Sequence, residues 1–531
     1  MKQKSLYLGL FGLMLGMFLA MLDGLIVGTA LPTIVGELGG LNLLSWVVTA
    51  YLVAAAVTTP LWGKFGDMFG RKGMFIASIV IFLIGSALAG MSQDMGQLIA
   101  FRAVQGLGAG GLMVGAFAII AVLVPPRESG RLQSIIGVMM PVAFVGGPLL
   151  GGLLTDYFSW RWTFYVNLPL GAIALLIIAT QIRLKPERIK ARIDYAGAAL
   201  LTIAIVALTL LASWAGTTYA WASPQILGLG VVAAASIAAF VWVERRAEEP
   251  VIPPRLFANR NFTLSQILSF LAGAAMMTLT NYLPQYMQFV QGASPTTSGL
   301  LLLPLMFGML TAQLTIGHLI TRNGKYRLYP ILGGGLLVVG ALSLLLLTPS
   351  TGTAVASALT ITAGAGMGLV MQSAMLLTMT SADRRDMGAA SGTVNLLRTI
   401  GGSLGIALLG AVYVDRLASD LTASLGPGEA HRLVDAGAEM TPALLHTLPD
   451  AVRDAYAAAV TNGLHGIVIG IAVVSLIAFA FAWFIREVPL PKDSPTDSPA
   501  GVPADGATEG ATGVPAASVK GGTAQAGMAA D

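Results

Sequence analysis

Long runs of apolar residues recur along almost the whole chain, separated by short polar connections. Each is about as long as the 20 or so residues a helix needs to cross the hydrocarbon of a bilayer. Fourteen such runs are centred near Met17, Leu52, Ile81, Leu107, Ala143, Ile173, Ile205, Val232, Ala274, Met309, Gly335, Ala365, Leu397 and Val473. None shows the every-second-residue alternation of a membrane strand, so the pattern predicts helices and not a barrel. The fold class read from the pattern is all-α and integral to a membrane.

Composition agrees. Only 11% of the 531 residues are charged and 55% are hydrophobic, whereas a soluble domain carries about 25% charged residues. The 64 glycines suit helices packed closely in lipid. Without cysteine there is no disulfide, thiolate metal site or thiol nucleophile.

The net charge of +4 becomes informative once it is placed. Lys2 and Lys4 precede span one, and every second connection after that is basic: Lys64, Arg71 and Lys72; Arg127 and Arg131; Arg183 to Arg192; Arg245 to Arg260; Arg322 to Arg327; Arg384 and Arg385. With Arg486, Lys492 and Lys520, twenty-four of the thirty basic residues fall on one side. By the positive-inside rule both termini are cytoplasmic and the number of spans is even. The start resembles a signal peptide, but its apolar stretch runs on past Asp23 to Pro32 with no small-residue cleavage pattern, so it is read as a retained span. All eight tryptophans lie near predicted span ends, where an interfacial belt is expected.

Glycines reveal a repeat. Gly63 and Gly70 bracket the second connection as Gly317 and Gly324 bracket the tenth. Gly106, Gly108 and Gly110 in span four recur as Gly364, Gly366 and Gly368 in span twelve. Gly137 and Gly146-Gly147-Pro148 in span five recur as Gly392 and Gly401-Gly402-Ser403 in span thirteen. The offset is always 254 to 258 residues, which implies two six-helix halves with spans seven and eight inserted between them. Repeated halves point to a transporter with its site between them. The expected parts are a first bundle (1–182), the inserted pair with its linkers (183–260), a second bundle (261–489) holding a long outward loop at 413–461 with scattered charges and some helical periodicity, and a disordered cytoplasmic tail (490–531).

Three charges fall within the hydrocarbon depth: Asp23 in span one, Arg102 in span four and Arg398 in span thirteen. Each costs at least about 2.5 kcal/mol there and needs a reason. Asp23 either takes and releases a proton as its surroundings change or makes a structural hydrogen bond between helices. Arg102 is either the cation that tunes it or a packing residue satisfied by carbonyl groups. Arg398 is placed near a cavity wall. In the second connection, glycines at 63, 66 and 70 permit a tight turn, while Asp67 can cap the next helix and pair with Arg71 four residues on. In span five, Pro148 loosens the helix, and Gly147, Gly151 and Gly152 admit a neighbour. Tyr282 and Tyr286, with the methionine-rich spans, offer either an adaptable apolar pocket or ordinary core.

Gly106 to Gly111 fits a dinucleotide fingerprint, but it lies inside an apolar helix with no strand before it. No Walker A pattern exists, and His318, His431, His446 and His465 are too scattered for a metal site. Neither an enzyme, a nucleic-acid partner nor a metal is expected.

These motifs resemble the major facilitator superfamily, in particular its fourteen-helix drug:proton antiporters of the QacA/EmrB type. The resemblance rests on Leu22-Asp23 through Pro32, Gly63 through Lys72, Arg102-Ala-Val-Gln105-Gly106, Gly147-Pro148-Leu-Leu-Gly151-Gly152 and Trp160 through Gly171. It implies two pseudo-symmetric six-helix bundles plus two inserted helices. It further implies proton-coupled export of amphiphilic drugs or other small toxic compounds across the cytoplasmic membrane, by a monomer with no cofactor beyond the proton motive force. Export of an endogenous lipid, siderophore or self-made antibiotic is the alternative. The resemblance assigns proton coupling to Asp23 and Arg102. It assigns a latch to Gly63, Asp67, Gly70 and Arg71 against the start of span thirteen near Gly388 to Ser391. A substrate pocket would draw on Asp23, Tyr282, Tyr286 and Arg398. One departure stands out: Gly24 and Gly28 occupy positions where the family usually has Thr or Ser and often Asn, so Asp23 lacks polar neighbours on its own helix.

Overall fold

The computed structural model describes residues 3–39, 43–124, 126–182, 184, 194–216, 219–293, 295–323, 326–435, 445 and 447–487. Among the described residues, fourteen long helices follow the apolar runs. In the first half they are α1 (Gln3–Leu38), α2 (Leu44–Phe69), α3 (Arg71–Gly90), α4 (Met95–Leu123), α5 (Pro126–Tyr157) and α6 (Asn167–Gln181). The inserted pair is α7 (Tyr195–Trp214) and α8 (Pro224–Glu244). The second half contains α9 (Arg260–Phe289), α10 (Leu303–Asn323), α11 (Leu328–Ser343), α12 (Thr353–Ser381), α13 (Met387–Leu425) and α14 (Asp450–Ala482). Thirteen spans are long and apolar enough to cross a membrane, and α5, with 32 residues, occupies the fourteenth place.

Some helix starts carry side-chain caps, but Asp67 does not cap α3, whose N-cap is Gly70. Asp94 accepts from the Gln97 N–H at 2.8 Å, and Ser223 precedes Pro224 at the first position of α8. Gly70, at φ +102°, breaks α2 from α3 in a backbone conformation that side chains other than glycine rarely adopt.

The repeated glycines make the same contacts in both halves. A Cβ on Gly106 or Gly110 would strike α2, and one on Gly108 would strike α3. Correspondingly, Gly364 and Gly368 abut α10, and Gly366 abuts α11. Gly147 and Gly151 of α5 lie against α1 as Gly401 and Gly405 of α13 lie against α9. Small residues thus bring the helix backbones together where lipid offers no hydrophobic drive to do so. The halves meet along α2 with α13 and along α5 with α10. Helix α7 packs beside α2 and α13, while α8 touches chiefly α7.

Two expectations are corrected. Much of segment 413–461, read as a loop, is helix: α13 continues to Leu425, a short helix spans Pro427–Asp435, and α14 begins at Asp450. Tyr413, Leu417 and Leu421 recur every four residues and are buried in the largest core cluster with Leu433 and Tyr456. The helical periodicity noted in this segment belongs to that stripe, and the charges scattered through it had favoured the loop reading. The interfacial belt also loses a member, because Trp160 is buried and donates to Glu37 at 2.6 Å. The tail 490–531 and the basic residues from Arg183 to Arg192 lie outside the described residues.

Candidate functional site

Asp23 is fully buried and makes an ion pair with Arg102, whose Nη1 donates to Oδ2 at 2.6 Å. Two neutral amides complete its shell: Gln105 Nε2 donates to Oδ1 at 2.7 Å, and Asn167 Nδ2 donates to the same oxygen at 2.9 Å. The Ser86 hydroxyl accepts from both amides and donates to the Phe164 carbonyl. Arg102 also donates to Gln105 Oε1 and lies 4.1 Å from the centre of the Tyr51 ring. Five polar side chains from α1, α3, α4 and α6 thus form one closed network. Glycine makes it possible: a Cβ on Gly85 would collide with Gln105, and one on Gly106 with the Tyr51 carbonyl. The partners missing next to Asp23 in sequence are supplied by other helices.

The second cluster lies between the halves. Arg71 grips Asp67 through Nε at 3.0 Å and Nη2 at 2.8 Å. The Gly388 and Ala389 N–H groups, at the start of α13, donate to the same carboxylate at 3.2 and 3.1 Å. A carboxylate at a helix N-terminus meets both unpaired donors and the positive end of the dipole. Gly63 lies so close to Gly388 that a Cβ on either would strike the other's carbonyl oxygen. Flanking this seam, Lys64 binds Glu249 at 2.6 Å, and Arg255 forks onto Asp386 at 3.1 and 2.9 Å. The α8–α9 linker is therefore tied to both halves.

Between the halves lies a cavity of about 240 Å³ lined from α1, α4, α5, α9, α10, α12 and α13. Seven of its thirteen lining residues are methionines, among them Met21, Met276 and Met371. Thioether side chains make a wall that adapts to ligand shape. Arg398 is the one charged lining residue among those described.

The sequence profile of the Major Facilitator Superfamily matches residues 13–406, about three quarters of the chain. The protein belongs to this superfamily. An MFS-type transporter of Mycobacterium tuberculosis is 39% identical over 478 residues, covering 90% of this chain and 69% of its relative. "Multidrug resistance protein 3" of Bacillus subtilis is 35% identical, covering 85% and 89%. Among solved structures, the human organic anion transporter MFSD10 shares the fold at TM-score 0.58 and 17% identity, covering 90% of this chain and 99% of that one. The chain is a multi-pass membrane transporter of the superfamily, with multidrug transporters among its relatives.

Within this superfamily fold, Asp23 and Arg102 come together, and Gly63, Asp67, Gly70 and Arg71 meet the start of α13. The pocket expectation is corrected in part. Arg398 lines the cavity, but Asp23 does not: Met21 faces it, and two positions along a helix turn the side chain by about 200°. Tyr286 is buried elsewhere with its hydroxyl donating to the Thr348 carbonyl at 2.8 Å, and Tyr282 packs on Tyr413. Gly147 and Gly151 serve the α1–α5 contact, while Gly152 meets nothing. Pro148 falls within α5, its side chain outside the described residues. Gln105 and Asn167 were present in the quoted motifs without a role. Their signal was being polar in otherwise apolar helices, the same reason that singled out Asp23.

Proposed function

We propose that this transporter exports amphiphilic small molecules across the cytoplasmic membrane in exchange for protons, by alternating access. The observation that supports this best is a buried acid set apart from an apolar cavity. Asp23 is held by ionic and neutral partners on α4 and α6, and the cavity lies between the halves, lined in part by α1.

A proton on Asp23 cancels half of a buried ion pair and leaves Arg102 with Gln105 and the Val47 carbonyl. A lone buried guanidinium is costly, so protonation favours any arrangement of α1 and α4 that restores a partner or admits water. At the basic end, taken as cytoplasmic, Asp67 holds α2 to α13 while that side is closed. Release of Asp67 from the α13 N-terminus opens it. The relatives named for multidrug transport support the class of cargo.

One proton moving down about one pH unit and 100 mV releases roughly 1.4 + 2.3 kcal/mol. That sustains about a 500-fold gradient of a neutral cargo. For a monocation the voltage cancels and about tenfold remains.

Flux in vesicles of purified protein under an imposed pH gradient tests the reading. Wild type is expected to accumulate an amphiphilic dye when the gradient is applied, and Asp23→Asn is not. Gradient-driven accumulation that persists in Asp23→Asn would overturn the role of this acid.

A further inference from the structure

Arg398 differs from the other charges at membrane depth. Arg102 is matched by Asp23, whereas none of the ion pairs among the described residues includes Arg398. Its guanidinium donates to the neutral Asn395 Oδ1 at 2.5 Å. An arginine cannot shed its proton at any physiological pH, so the cavity carries a fixed positive charge. The other polar lining groups, Gln313 and Gln372, are neutral, and the rest of the wall is thioether, hydrocarbon or glycine. A positive charge in such a wall repels cations, whose hydration the cavity cannot replace. It also offers a planar fork of donors to two oxygens of an anion.

We propose that the preferred cargo is an amphiphile ending in a single negative charge, a carboxylate or phenolate, with that end on Arg398 and its apolar body among Met21, Met276, Met309 and Met371. The proposal rests on the transport reading above and names the cargo's class. The driving force favours the same choice. Moving an anion outward while a proton enters adds the voltage twice, so one pH unit and 100 mV support a gradient on the order of ten-thousand-fold.

Three probes of one size test it: pyrenebutanoate, pyrenebutanamide and pyrenebutylamine, titrated by fluorescence into detergent-purified protein. Wild type is expected to bind the carboxylate about tenfold or more tighter than the amide, with the amine weakest. Arg398→Gln is expected to elute as wild type does on size-exclusion chromatography, which shows that it is folded, and to lose the preference for the carboxylate over the amide. Arg398→Lys, which keeps the charge but not the fork, is expected to fall between them. Equal binding of all three probes by wild type overturns the proposal, as does a preference that survives in Arg398→Gln. Flux is scored separately. A carboxylate preference without pH-driven transport supports the proposal and overturns the antiport reading, whereas pH-driven transport that favours the amine does the reverse.

Discussion

The two halves are built alike and equipped differently. Gly106, Gly108 and Gly110 in α4 touch the same neighbours as Gly364, Gly366 and Gly368 in α12, displaced by 258 residues. The same displacement carries Arg102 onto Thr360 and Gln105 onto Ala363, both buried and neither charged. One half thus closes an ionic network where the other has a helix-internal hydroxyl and a methyl group. The two halves share the positions that set helix separation and differ at those that bear the buried charge. Asp23 and its partners belong wholly to the first half, while nine of the thirteen cavity-lining residues come from the second.

Substitutions at equivalent positions sharpen that contrast. The largest effect is expected for Arg102→Leu, which leaves Asp23 buried without its cation. Stability in detergent should fall by about 3–5 kcal/mol, read from thermal unfolding. Thr360→Val at the matching position loses one hydrogen bond to the Ser357 carbonyl and should lose only about 1 kcal/mol. Equal losses at the two sites would erase the asymmetry.

The glycine ladder should behave in the opposite way. Gly106→Ala and Gly364→Ala each drive a methyl group into a backbone carbonyl, of Tyr51 and Leu305 respectively. Both should destabilise by about 1–3 kcal/mol, with no systematic difference between halves. A large difference would show that the shared packing is only apparent.

At the seam where the halves join, Asp67→Asn keeps an acceptor but loses its charge. The protein should still insert, with transport slowed on the order of tenfold, equivalent to about 1.4 kcal/mol. Normal rates in this variant would refute the latch.

The smallest effect concerns Glu37 at the opposite end, outside the membrane span. The Arg161 guanidinium, and then the Trp160 N–H, donate to its carboxylate and hold its pKa below the ordinary value. A depressed folded pKa gives stability that is present above the unfolded value of about 4.3 and is lost as the pH falls through the lowered one. Because Glu37 is about half exposed, the contribution is small. Glu37→Gln should flatten the acid limb of a melting-temperature profile and leave neutral pH almost unchanged.

Much of the helical frame was legible in the sequence, because lipid demands long apolar runs. The Asp67–Arg71 ion pair was legible because the two residues are four apart on a turn that glycine permits. The shell of Asp23 was not, since Gln105 and Asn167 lie 82 and 144 residues away and only packing brings them together. The cavity escaped for a related reason. Periodicity identifies a methionine as buried but does not distinguish a packed core from the wall of a void, and Tyr286 and Met276 look alike until their neighbours are placed. The stripe from Tyr413 to Leu421 was legible only as some helical periodicity, because charges interleaved with it favoured a loop.

Where Gly63 faces Gly388 no side chain intervenes. A joint made of long side chains can yield by degrees, each rotamer filling the gap that another leaves. Two bare backbones cannot. Once they part by the width of a water molecule, both carbonyls are wetted and the barrier there is gone; until then, it is dry. Under the alternating access proposed above, such a joint would favour two positions, and a half-open intermediate through which protons could leak would have little structure to rest on.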